Sequence, residues 1–85
     1  MSLEEAIQQM TDRIKSASPN AEIKSVKMSE EEARLSVYAA AADIQSIKDA
    51  TFMPAIELLN NEGLDIQVFV YDNDAPPLKG SRQKT

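Results

Sequence analysis

The sequence contains no cysteine, no histidine and no tryptophan. No disulfide can form, and thiol and imidazole catalysis are excluded, as are zinc, haem and copper sites built from Cys or His. Glycine is nearly absent, occurring only at Gly63 and Gly80. A phosphate cradle needs clustered glycines so that backbone amides can approach the anion. Neither G-x-G-x-x-G nor G-x-x-x-x-G-K-[ST] occurs, so nucleotide binding by those routes is not expected, and no cofactor is implied. No run approaches the ~18 consecutive apolar residues of a membrane span. No signal peptide opens the chain, so a cytoplasmic protein is expected.

What is present suffices for a small folded domain: 85 residues, 42% of them hydrophobic, with a net charge of -5. The composition changes at Asn73. Asn73-Asp74-Ala75-Pro76-Pro77 ends any helix or central strand, because proline fixes φ and lacks an amide donor. Beyond the prolines only Leu78 is apolar. Residues 1–72 are read as one domain and 73–85 as a flexible basic tail. The body holds 13 acids against 6 bases, a net -7, and the tail is +2. A body this small buries only about 60% of its unfolded surface, so a dimer interface would stabilise it.

The first helix is the clearest element. Leu3, Ala6, Ile7, Met10, Ile14 and Ala17 recur at a 3.6-residue period. Ser2 and Glu5 form a capping box, and Ser18-Pro19-Asn20 ends the helix. A strand follows over 32–39, with Ala33, Leu35, Val37 and Ala39 on one face and Glu32, Arg34, Ser36 and Tyr38 on the other. The preceding run, 21–28, changes parity between Ile23 and Val26, and a bulge near Lys24-Ser25 would reconcile it. The polar link Ser29-Glu30-Glu31 predicts a hairpin. Residues 44–62 have a helical pattern between Asp43, a candidate N-cap, and Gly63, a stop. Pro54 interrupts it, giving one kinked helix or two helices with Thr51 as the second N-cap. Ile44, Ile47, Phe52, Ile56, Leu58 and Leu59 are its expected buried side. The last strand, 64–72, points Leu64, Ile66, Val68 and Val70 one way and Asp65, Gln67, Phe69 and Tyr71 the other. The order is α-β-β-α-β, an α+β two-layer sandwich with both helices on one face of a three-stranded mixed sheet.

The chain has two tyrosines and two phenylalanines. By parity Tyr38, Phe69 and Tyr71 lie on the sheet face away from the helices. As a surface, they form an apolar patch of the kind that marks an interface, most simply a homodimer through stacked sheets. As structure, they are good strand formers lying flat on their neighbours. The other constellations are weaker. Glu30-Glu31-Glu32 reads as a solvated hairpin tip or a dock for a basic partner. Asp72-Asn73-Asp74 begins like a calcium loop, but Pro76 and Pro77 stand where a ligand and the required glycine belong. Lys48 reads as a surface lysine, because Asp49 beside it lies on another side of the helix. Gln8, Gln9 and Asp12 read as a solvated face, Asn60-Asn61 as a fraying helix end, and Met10, Met28 and Met53 as core filler. Pro76-Pro77-Leu78-Lys79 has the form of a polyproline II ligand.

With a split second helix the order becomes α-β-β-α-α-β, which resembles that of the type II KH domains of RNA-binding proteins. The resemblance spans most of residues 1–72 and implies nucleic-acid binding, helped by the basic tail. Lys48-Asp49-Ala50-Thr51 stands where that family carries G-x-x-G, and a body at -7 repels a phosphate backbone. No binding residue is carried over. Three functions follow. The first expectation is a non-catalytic interaction or regulatory module that self-associates through Tyr38, Phe69 and Tyr71 and meets a further protein partner. The second is a KH-like nucleic-acid binder. The third is an enzyme using carboxylate or lysine chemistry. No catalytic or metal-binding residue is assigned.

Overall fold

The amphipathic pattern around Met10 produces the first helix, α1, over Leu3–Ala17 in the computed structural model, which describes residues 1–73. The capping box forms: the Glu5 amide donates to Ser2 Oγ at 3.1 Å and the Ser2 amide to Glu5 Oε1 at 2.9 Å. Leu3, Ala6, Met10 and Ile14 are buried. At the other end the Ser18 amide donates to the Ile14 carbonyl and Pro19 stops the helix. Strand β1 (Glu22–Lys27) turns at Met28–Glu31 into β2 (Glu32–Ala39). A 3-10 turn over Ala41–Asp43 leads into α2 (Ile44–Glu57), and a π-helical turn over Leu58–Glu62 precedes β3 (Asp65–Asp72). The order is the expected α-β-β-α-β.

The three strands lie in the order β1-β2-β3, with β1 antiparallel and β3 parallel to β2. β2 is central, and Ala33, Leu35, Val37 and Ala39 are all buried beneath the helices. Met10 and Ile14 of α1, Leu35 of β2 and Ile47 of α2 are sealed from solvent. Each such side chain contributes about 1.5–3 kcal/mol of burial.

Several expectations are corrected. The ladder between β1 and β2 runs without a bulge, from Glu22 opposite Tyr38 to Lys27 opposite Ala33. The unbroken register sets Val26 opposite Arg34 and so leaves it on the open face of the sheet. Met28 and Met53 are exposed and fill no core. Of the two readings of 44–62, the single helix holds, so the KH-like order is not realised. Thr51 is no N-cap: its hydroxyl donates back to the Ile47 carbonyl at 2.9 Å inside a continuous helix. Pro54 sits within that helix, and Gly63, at φ 70°, closes the π-helical turn after it. That left-handed conformation costs another residue about 1–2 kcal/mol. Asp43 makes no side-chain cap; its carboxylate accepts from the buried Ser18 hydroxyl at 2.8 Å. Phe52, Ile56 and Leu59, expected inside, are exposed. Three strands at ~4.8 Å spacing make a narrow platform, while two helices pack ~8–10 Å apart. One stripe of α2, with Ile47, Thr51 and then Leu58, is buried in the core, and Ala55 packs partly against it.

The expected tail lies outside the described residues apart from Asn73. The Asn73 amide donates to the Ala39 carbonyl at 2.9 Å and extends the ladder beyond β3. No helix among the described residues is long and apolar enough to cross a membrane.

Candidate functional site

Strand β3 carries different side chains on its two faces. On the face opposite the helices, Tyr71 lies level with Tyr38, and Phe69 with Ser36. The Tyr38 and Tyr71 rings stack with centroids 5.3 Å apart. Lys24 Nζ stands 5.6 Å from the Tyr38 ring centre, and the Arg34 guanidinium carbon 5.2 Å from that of Phe69. These cations lie over the rings and hold them flat along the sheet. Phe69 is 40% and Tyr71 47% exposed, and Tyr38 between them and β1 is half-buried. Val26, opposite Arg34, adds an exposed apolar residue to the same face. The geometry thus brings Tyr38, Phe69 and Tyr71 together on one open surface. It is a mixed surface, for Glu22, Lys24 and Arg34 share it.

The other face of β3 forms a second surface that strand parity alone does not disclose. Phe52, Ala55, Ile56 and Leu59 make a stripe on α2 about 100° round from the buried one. They face Ile66, Val68 and Val70 across a groove of about 440 Å3. Phe52 is 64% and Leu59 51% exposed, so its outer wall stands in solvent. Because β3 is parallel to β2, α2 runs antiparallel to both. Lys48 therefore marks the Val70 end of the groove and Asp65 the Leu59 end. The surplus of apolar residues in 44–62 was the available signal: they outnumber what one helix face can hold.

The remaining candidates stay apart. The Glu30-Glu31-Glu32 run sits at the hairpin, where Glu32 accepts from the Gln67 side chain at 3.0 Å. Asp49 accepts from Gln45 at 2.9 Å, not from Lys48. Gln8 donates to Asp12 at 2.8 Å along α1. Asp74 lies outside the described residues, and among the described residues no three Asp or Glu side chains converge as a metal site would require. Two carboxyls are held below the usual glutamate range. Hydrogen bonding and charge from Lys27, with Glu4's own backbone amide, act on Glu4; hydrogen bonds from the Ser2 amide and hydroxyl act on Glu5. Both belong to α1 and lie away from the two surfaces. The chain matches no family model, no curated protein and no solved structure.

Proposed function

We propose that this protein is a non-catalytic interaction module that self-associates through the open sheet face around Tyr38, Phe69 and Tyr71. The supporting observation is the grouping of Phe69, Tyr71 and Val26 as exposed apolar residues on a face that no helix covers. Aromatic rings held flat supply large contact area at small entropic cost, and such rings dominate interface energetics. The cations over them provide partners for acidic residues such as Glu22 on a facing copy.

Light scattering after size exclusion, over a concentration series, tests this reading. The wild type is expected to show a concentration-dependent dimer. Val26→Glu combined with Tyr38→Glu, both away from the outer edge of β3, is expected to weaken it at least about tenfold while helical circular dichroism is retained. A dimer unaffected by the double substitution removes the open face as the self-association surface.

A further inference from the structure

We propose that the α2–β3 groove and the outer edge of β3 receive a second copy of this chain, related by a two-fold axis through Val68, so that two three-stranded sheets join side by side. This goes beyond the open-face reading and uses a different surface of the chain; a chain that used both would assemble past a dimer, so this contact is measured with the open face disabled.

The first ground is the edge itself. Among the described residues β3 has a neighbour on one side only. The Asp65 amide donates to Glu31 at 2.8 Å and the Asn73 amide to Ala39 at 2.9 Å, so the odd-numbered residues pair with β2. The amides and carbonyls of Ile66, Val68 and Val70 therefore point outward. Between its terminal aspartates the strand reads Ile-Gln-Val-Phe-Val-Tyr. It carries no lysine, proline or bulge, the devices that stop an edge from pairing.

The second ground is self-complementarity. A two-fold axis through Val68 sets Val68 against its own copy and Ile66 against Val70 of the other chain. These residues turn the same outward backbone groups toward each other, so each pair can exchange two hydrogen bonds. The register also sets Asp65 opposite Tyr71 rather than another acid. The same axis lays α2 antiparallel to its copy, closing the two grooves into one interior around Phe52, Ile56 and Leu59. A symmetric interface needs such a match of one surface with itself.

The full chain is examined by sedimentation equilibrium over a concentration series, as wild type and with substitutions in the groove and on the open face. With Val26→Glu and Tyr38→Glu present to disable the open face, Phe52→Glu with Ile56→Glu is expected to raise the dissociation constant of this contact about thirtyfold or more, as for loss of a buried anchor. Both positions are already exposed in one copy, so the fold should persist by circular dichroism. Amide hydrogen exchange provides a readout without substitution: Val68 and Val70 should gain protection as wild-type concentration rises. A monomer at every concentration overturns the proposal. So does a dimer indifferent to the groove variants, or one broken only by Val26→Glu with Tyr38→Glu, which would leave the open face as the contact. Changed Phe52 and Ile56 signals on deleting 74–85 from a monomeric protein would give the groove to the chain's own C-terminal segment and likewise overturn it.

Discussion

The two outer strands of this sheet contrast in nearly every respect that governs an edge. β1 reads Glu-Ile-Lys-Ser-Val-Lys, and only Ile23 is shielded from solvent even in part. Lys24 reaches over the Tyr38 ring and Lys27 pairs with Glu4 of α1. Charged side chains, lysine above all, make a strand a poor template for another chain. β3 has the same status in the sheet and the opposite composition, with Ile66 buried and Val68 and Val70 packed partly against the core. It is also flanked by the apolar overhang of α2. One edge carries the charges that oppose pairing with another strand, and among the described residues the other carries neither such charges between its terminal aspartates nor a second neighbour.

The largest expected effect breaks that comparison at its thermodynamic root. Ile66 is 4% exposed and Val26 54% exposed. Ile66→Ala should cost about 2–4 kcal/mol, from lost burial plus the cavity left behind. Val26→Ala should change stability by no more than about 0.5 kcal/mol. Urea unfolding at low protein concentration measures both without a contribution from association. Equal losses would mean that β1 is as firmly built into the domain as β3, and the contrast between the edges would collapse.

An intermediate effect sharpens the contrast by testing what joins the two sides. Ser18 precedes β1 and Asp43 precedes α2, and the hydroxyl of the first donates to the carboxylate of the second at 2.8 Å. Ser18 is almost wholly buried. Ser18→Ala leaves a partly buried carboxylate oxygen without its donor, at an expected cost of about 1–3 kcal/mol. Thermal unfolding should shift accordingly, while Asn20→Ala, at an exposed neighbouring position, should not. A neutral Ser18→Ala would show that water replaces the hydroxyl and that this bond does not tie the β1 side to the α2 side.

Legibility of these features in the sequence followed burial. Along β2 and β3 one face is covered and the other is not, so alternation fixed both the strands and the direction of Tyr38, Phe69 and Tyr71. The Ser2–Glu5 box and the Met10 periodicity located α1 for the same local reasons. The expected bulge in β1 is absent because an exposed strand has no buried face to keep its pattern in phase: the parity change between Ile23 and Val26 only places Val26 on the open face. The second stripe of α2 faces solvent against expectation, because hydrophobicity alone does not say which of two apolar stripes meets the core. That choice depends on sheet width, a tertiary quantity, and it put Phe52, Ile56 and Leu59 outside. The Ser18–Asp43 bond was hidden because it joins residues 25 apart in sequence, and both had plausible local roles as helix caps.

The smallest effect belongs to β1 alone. The Lys27 ammonium donates to Glu4 across the surface between β1 and α1. That partner lowers the Glu4 carboxyl below its ordinary range. A carboxyl lowered in the folded state binds its proton more readily in the unfolded chain, so stability falls with acidification. The contribution is complete at neutral pH and down to the ordinary glutamate value, and is lost as pH falls through the lowered folded value. Both side chains stand in solvent, so salt should screen the pair strongly. The expected result is a small stability advantage of wild type over Lys27→Met at neutral pH and low salt. It should shrink on acidification or at high ionic strength, and a matching Ile66→Val comparison on β3 should show no such dependence. Parallel pH profiles for wild type and Lys27→Met would mean that the pair does not fasten β1. The protection of that edge would then come from its exposed lysines, whose charges oppose the approach of another strand independent of any bond they make.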